Sequence, residues 1–104
     1  MYYDGDGSYL EALPDKLKNS KLPKGITWFE DHVHFDTLRE ASEWVLSDSY
    51  NKIGHDYNGY ISTDPKLVHA LVYELVRHRR YEGKVRVWEY RLNGKHYLFL
   101  WIEK

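Results

Sequence analysis

The chain has 104 residues, which is enough for one small domain. Its hydrophobic share is 42%, but ten of these residues are tyrosines, so we expect a thin aliphatic core. The absence of cysteine excludes disulfides, thiolate nucleophiles and cysteine-ligated metal sites, and the chain contains no Walker loop, dinucleotide-binding turn or zinc signature. Because no long apolar run and no secretory leader is found, we expect a cytoplasmic protein with no membrane partner.

The formal net charge of -1 conceals two oppositely charged parts of the chain. The residues up to Asp64 include 6 basic and 12 acidic side chains, whereas the residues after it include 9 basic and 4 acidic ones. These parts either neutralise each other in the folded domain or direct the basic part toward an anionic partner.

The first third of the chain predicts little regular structure. Residues 1–25 are rich in glycine, proline and charged side chains, and they indicate a loosely structured N-terminal segment with at most one short helix near residues 9–17. Residues 26–35 are β-branched and aromatic, which predicts one strand or a short hairpin. We treat residues 1–104 as a single domain.

Two helices are predicted from their capping residues. Thr37 and Glu40 form a capping box, and apolar residues follow at helical spacing to about Ser47. Asp64 precedes Pro65, and a broad apolar stripe then extends to about Arg80. The residues between these helices, 47–64, carry Ser, Asn, Asp, Gly and Tyr and predict a long loop.

The C-terminal residues predict a β-hairpin. Asn93 and Gly94 lie between two alternating runs, the signal for a type I′ turn, and this turn places Trp88 opposite Phe99. One face of the hairpin is aliphatic and the other is aromatic. The sequence therefore predicts an α+β fold, in which a small antiparallel sheet with a C-terminal hairpin packs two helices on its aliphatic face.

The aromatic face of the hairpin also carries arginine, a pattern that is typical of single-strand nucleic-acid binding sheets, where bases stack on rings and cations hold phosphates. We therefore predict a small nucleotide or nucleic-acid binding protein. The predicted binding residues are Arg77, Arg79, Arg80, Arg86, Trp88, Tyr90, Arg91, Tyr97, Phe99 and Trp101. The alternative is that this face packs under the N-terminal segment or forms a protein interface, either with a second copy or as an interaction or inhibitor module with another protein.

Three histidines are candidates for chemistry. His32 and His34 would share one face of a strand and bind a metal ion if His55 or Asp56 supplied a third ligand, but ordinary strand-face histidines have the same spacing. No metal or other cofactor is therefore predicted. His55 follows Gly54 in the predicted loop, where an imidazole is able to act as a general acid or base.

The residues from Thr37 through Ala41 and Val45 to Ile53-Gly54-His55-Asp56, followed by an apolar helix and a hairpin, resemble the small ring-nuclease and anti-CRISPR family of archaeal viruses and mobile elements. The resemblance spans about residues 33–102. It implies a viral or mobile-element homodimer, located in the host cytoplasm, that cleaves cyclic tetra-adenylate without a metal ion. It also implies that His55 is catalytic. In the family the helix follows the histidine directly, whereas residues 57–64 intervene here.

Overall fold

The computed structural model describes residues 2–3, 8–49 and 52–103, which form an α+β fold as predicted. The strands are β1 (Tyr2–Tyr3), β2 (Trp28–Asp31), β3 (Val33–His34), β4 (Gly59–Ser62), β5 (Val85–Leu92) and β6 (Lys95–Ile102). The helices are α1 (Tyr9–Ala12), α2 (Asp15–Lys21), α3 (Leu38–Trp44) and α4 (Pro65–Val76). A π-helical turn (Val45–Ser49) continues α3, and a 3-10 turn (Arg79–Tyr81) follows α4.

The main sheet has the strand order β2-β4-β6-β5 and is mixed rather than wholly antiparallel. Strand β4 lies parallel to β2 and antiparallel to β6. A parallel neighbour requires a crossover connection, and α3 lies within the connection from β2 to β4. The strand predicted over residues 26–35 is divided between β2 and β3, because β3 pairs with β1 in a separate antiparallel sheet.

The prediction of one long loop over residues 47–64 is wrong, because residues 59–62 form the central strand β4. All four residues of β4 are buried, so the strand lacks the alternation of polar and apolar residues that marks a half-exposed strand. Its first residue, Gly59, lies so close to Ile26 and Trp28 that a side chain there would collide with both. In the sequence Gly59 contributes to the prediction of a loop, whereas in the structure it allows the backbone of β4 to approach its neighbours closely.

The predicted hairpin is confirmed with its register. Asn93 and Gly94 both have positive φ angles, 50° and 80°, as a type I′ turn requires. The observed pairs include Leu92 with Lys95, Tyr90 with Tyr97, Trp88 with Phe99 and Arg86 with Trp101.

Both predicted helix starts are also confirmed. The Thr37 hydroxyl oxygen accepts a hydrogen bond from the Glu40 backbone N–H at 3.2 Å. Asp64 is fully buried, and its carboxylate accepts hydrogen bonds from the N–H of Lys66 at 3.0 Å and of Phe35 at 2.8 Å. Helix α4 ends at Val76, earlier than predicted, and the 3-10 turn takes up the arginines that follow.

Helices α3 and α4 pack on the aliphatic face of the main sheet, as predicted. Leu67, Leu71 and Leu75 of α4 are fully buried and belong to one cluster with Leu98 and Leu100 of β6. Within the described ranges, no helix is long and apolar enough to cross a bilayer.

The other face of the sheet is covered by α1 and α2, which differs from the loose N-terminal segment predicted for residues 1–25. Tyr9, Leu13 and Leu22 are buried against Tyr97 and Phe99 of β6. We call residues 8–22 the α1–α2 cover. It is also fixed at its start, because a carboxylate oxygen of Glu30 accepts hydrogen bonds from the Ser8 hydroxyl and the Leu10 N–H.

Candidate functional site

His55 lies in a tight turn that the fold holds at both ends. Ile53 and Tyr57 are buried and anchor the turn, whereas His55 and Asp56 are exposed. The Gly54 N–H donates to the Tyr57 carbonyl at 2.7 Å, and Gly54 has a φ of 85°, a conformation that favours glycine. The buried ends therefore present the His55 imidazole to solvent on a fixed backbone.

Tyr81 connects this turn to the basic residues after α4. Its hydroxyl donates to the Ile53 carbonyl at 3.3 Å, and its ring is buried. A side chain on Gly54 would collide with the Tyr81 hydroxyl. Glycine at position 54 is thus required twice, for its backbone conformation and for the approach of Tyr81.

The 3-10 turn presents Arg80 next to the His55 turn, and Arg79 is the residue before it. His78 caps this turn, since its Nδ1 accepts a hydrogen bond from the Arg80 N–H at 3.2 Å. Arg79 and Arg80 are exposed, and the Arg80 guanidinium lies 5.7 Å from the centre of the Tyr81 ring. Contact with an aromatic face restricts the guanidinium without neutralising it.

The two turns line adjoining cavities of about 250 Å³ each. One cavity is lined by Arg80, Tyr81 and Lys84, the other by His55, and both share Gly54 and Asn58. We call the two together the His55 groove. Lys84 is exposed and was not among the predicted residues, although its position four residues after Arg80 in a basic run was a usable signal.

Arg77 and Arg91 are not among the lining residues of this groove. The Arg77 guanidinium lies 3.5 Å from a Glu74 carboxylate oxygen and over the Tyr73 ring. Arg91 is exposed near the hairpin turn, five residues along β5 from Arg86, a distance of roughly 17 Å.

Arg86 is near the groove but is already engaged. Its Nε lies 2.6 Å from a carboxylate oxygen of Glu103, and one terminal nitrogen donates to the carbonyls of Gly83 and Val85. The pair with Arg86 also partly neutralises Glu103, the one acidic side chain in the lining of the Arg80 cavity.

The aromatic face of the hairpin is largely closed by the α1–α2 cover. Phe99 is 0% exposed and Tyr97 is 6% exposed, so neither ring is accessible to a base. Trp88, Tyr90 and Trp101 are half-buried around them. The open stacking platform predicted from the sequence is therefore reduced to these three rings.

A polar network that the sequence did not reveal lies at the carboxyl ends of β2 and β4. Thr63 Oγ1 is 2.6 Å from His34 Nε2 and 3.4 Å from the Tyr9 hydroxyl, and the Tyr60 hydroxyl donates to the buried Asp31 carboxylate. These bonds join residues 29 or more positions apart in the chain, which no local pattern indicates.

The structure does not assemble the metal site considered for the histidines. His34 is at the carboxyl end of the parallel strands, the His32 ring packs on Tyr9, and His55 lies before the opposite end of β4. In the part of the chain that the structure describes, no three His, Cys, Asp or Glu side chains are arranged to hold a metal ion.

Comparisons with known proteins add no family or function. No protein-family model, curated protein or solved structure matches the chain.

Proposed function

We propose that the protein binds nucleotides or nucleic acid at the His55 groove, with Arg79, Arg80 and Lys84 holding the phosphates. The observation that carries this proposal is the adjoining position of the His55 turn and the basic turn, which share Gly54 and Asn58 as lining residues. Such a site combines cations with an exposed imidazole, and phosphate contacts dominate the affinity of proteins for nucleic acid.

The cations on the Arg80 side of the groove favour an anionic ligand, although the lining of the His55 cavity also includes the exposed carboxylate of Asp56. Arg79 and Lys84 are exposed, and Arg80 is oriented by the Tyr81 ring. Because the acidic excess of the chain lies before position 65, the basic excess is concentrated in the segment that forms one side of the groove. This distribution supports binding of a phosphate by the basic segment rather than mutual neutralisation of the two parts on a uniformly mixed surface.

Base stacking enters the proposal in a reduced form. Trp101 remains half-exposed, but it lies on the aromatic face of the sheet, whereas its neighbour Ile102, which lines the groove, lies on the aliphatic face. Stacking on Trp101, worth roughly 1 to 3 kcal/mol per base, would therefore need a ligand long enough to extend from the groove to the aromatic face. The buried Phe99 and Tyr97 are no longer part of the proposed contact.

The test is fluorescence anisotropy with labelled single-stranded RNA, single-stranded DNA and cyclic tetra-adenylate, each titrated over a series of salt concentrations. We expect affinity to fall with salt for at least one ligand, and the double variant Arg79→Ala/Arg80→Ala to bind it about tenfold more weakly. Arg77→Ala is the matched control, because Arg77 lies two residues before the 3-10 turn, is not a lining residue of the groove and is paired with Glu74. No binding of any of these ligands, or equal losses in the variant and the control, would contradict the proposal; a stoichiometric protein partner recovered without nucleic acid would favour an interaction or inhibitor module.

A second candidate function, metal-free cleavage of a cyclic oligoadenylate, is favoured by the exposure of His55 beside Arg80 and Lys84. In this reaction a ribose 2′-hydroxyl attacks the adjacent phosphate, a 2′,3′-cyclic phosphate forms and the bond from phosphorus to the 5′ oxygen breaks. The proton of the 2′-hydroxyl would pass to solvent water, His55 would give a proton to the departing 5′ oxygen, and the cations would hold the phosphate.

Cleavage is tested by mass spectrometry of cyclic tetra-adenylate incubated with the protein in the presence of EDTA. We expect linear products from the wild type and none from His55→Ala, whereas His69→Ala, which alters an exposed histidine on α4, should cleave normally. Intact substrate with the wild type excludes this activity and leaves the binding proposal to the anisotropy experiment.

A further inference from the structure

Strand β5 forms an edge of the main sheet and, among the described residues, pairs on one side only, with β6. The two-residue turn at Asn93–Gly94 makes Leu92 and Lys95 a hydrogen-bonded pair, and such pairs alternate along an antiparallel ladder. The backbone groups of the even-numbered residues of β5 therefore face β6. Those of Val85, Val87, Glu89 and Arg91 face outward.

In the part of the chain that the structure describes, this edge has few of the features that usually prevent pairing with another strand. Short length, proline, bulges, a covering element and charged side chains are the common protections, and of these β5 has the charged side chains of Arg86, Glu89 and Arg91. Strand β5 has eight residues, no proline and an unbroken register with β6, and Val87 is 47% exposed. The opposite edge strand, β2, has four residues.

We infer that two copies of the chain pair through antiparallel β5 strands about a twofold axis, which joins the two main sheets into a continuous sheet of eight strands. The strand that pairs with this edge is β5 of a second copy, because β5 is able to pair with itself in a register that places no like charges directly opposite each other. This pairing is independent of the proposed nucleotide site.

Symmetry restricts the register. A twofold axis normal to the sheet keeps the helix-covered face of both copies on the same side. Side chains that lie directly opposite each other in an antiparallel pair also share a face. An even-numbered residue must therefore pair with an even-numbered residue of the partner subunit, and an odd-numbered residue with an odd-numbered one. The two longest ladders that satisfy this rule have their centres at Trp88 and at Glu89. The second places two Glu89 carboxylates directly opposite each other, which is unfavourable.

The register centred on Trp88 pairs Val85 through Arg91 and places no like charges directly opposite each other. Val87 lies opposite Glu89 of the partner subunit, and Arg86 lies opposite the partner subunit's Tyr90, a favourable cation–aromatic combination. Arg91 of the partner subunit lies opposite Val85, beside Lys84. If the proposed function holds, the second copy thus adds a cation next to the His55 groove.

The edge is tested with a matched pair of variants at one exposed position, Val87→Glu and Val87→Lys. In the proposed register Val87→Glu faces a Glu89 carboxylate twice and should weaken the dimer roughly tenfold, whereas Val87→Lys faces the same carboxylates and should retain or strengthen it. Sedimentation equilibrium measures the dimerisation constant, and thermal melting by circular dichroism verifies that both variants fold. A wild type that stays monomeric into the millimolar range, or equal effects of the two charges, would overturn the inference.

The register is tested by single cysteines, because the chain has none of its own. Trp88→Cys lies on the proposed axis as a non-hydrogen-bonded pair with Cα atoms about 4.5 Å apart, within the range for a disulfide. We expect a covalent dimer on a non-reducing gel after mild oxidation of Trp88→Cys, but not of Val87→Cys or Glu89→Cys. Cross-linking through Glu89→Cys or Val87→Cys instead, or through none of the three in folded protein, would contradict the register. If Trp88→Cys does not fold, the two charge variants at Val87 decide the question.

Discussion

The two faces of the main sheet are both covered, but by elements of very different length. Helix α4 covers the aliphatic face with 12 residues and three fully buried leucines. Helices α1 and α2, of 4 and 7 residues, cover the aromatic face through the buried side chains of Tyr9, Leu13 and Leu22. Helices this short are not stable alone in water, so the α1–α2 cover depends on its contacts with the sheet.

An aromatic strand face is thus not by itself a binding platform. The rings of Phe99 and Tyr97 fill the space under the α1–α2 cover in the way that leucines fill the space under α4. Local opening of a cover with few buried contacts costs less free energy than unfolding of the core. We therefore expect the two faces to respond differently to mutations that remove buried groups.

The largest effect is expected from Leu71→Ala on α4. Leu71 is 0% exposed, and removal of a leucine side chain at such a site costs about 2 to 5 kcal/mol of unfolding free energy. Urea denaturation followed by circular dichroism measures this loss. Val76→Ala is the control, because Val76 is 52% exposed on the same helix and should change stability by no more than about 0.5 kcal/mol. Equal losses in both variants would contradict the assignment of this face as the core.

A smaller effect on global unfolding, with a distinct local signature, is expected from Leu13→Ala. Leu13 is 3% exposed, but the α1–α2 cover is able to loosen without unfolding α4, so we expect a loss of about 2 kcal/mol. Quenching of tryptophan fluorescence by acrylamide should increase as Trp28, Trp88 and Trp101 become accessible. Lys16→Ala, at an exposed position of α2, should leave quenching unchanged. A loss of unfolding free energy as large as that of Leu71→Ala, without increased quenching, would mean that both faces unfold as one cooperative unit. It would contradict the expected local opening of the α1–α2 cover.

The smallest effect is expected from Tyr9→Phe. This change retains the ring under the α1–α2 cover and removes only the hydroxyl that is 3.4 Å from Thr63 Oγ1, so it should cost about 1 kcal/mol. Thr63 retains its contact with His34 at 2.6 Å. Thermal melting against Tyr73→Phe, which alters an exposed ring on α4, measures the difference. A cost of several kcal/mol would mean that this hydroxyl holds the whole network at the carboxyl ends of β2 and β4.

The parts of the fold that the sequence predicted are those that short stretches of chain determine. A two-residue turn fixes the hairpin register, and single side chains at Thr37 and Asp64 start helices α3 and α4. Strand β4 was missed because full burial removes its alternation. The α1–α2 cover was missed because Pro14 and the many charged residues conceal the buried positions of Tyr9 and Leu13.

The candidate site could be predicted only in pieces. His55 and the basic residues after α4 were visible as residue types, but their adjacency depends on Tyr81 reaching the carbonyl of Ile53, 28 positions away. The arginines were not distinguished by sequence, whereas the structure pairs Arg77 and Arg86 with carboxylates and leaves Arg79 and Arg80 exposed. The pair of Arg86 with Glu103 depends on tertiary geometry, whereas the pair of Arg77 with Glu74 has the i,i+3 spacing of a helix and was readable in the sequence.

The position of β4 between β2 and β6 has a consequence for how the protein folds during synthesis. Tyr60 pairs with Phe29, which precedes it by 31 residues, and with Leu100, which follows it by 40. When β4 leaves the ribosome it is able to join β2 at once, but its other side stays open until the hairpin follows. We expect α4 to form early on an incomplete sheet, and addition of the hairpin, which joins distant parts of the chain, to be the slow step that completes the core.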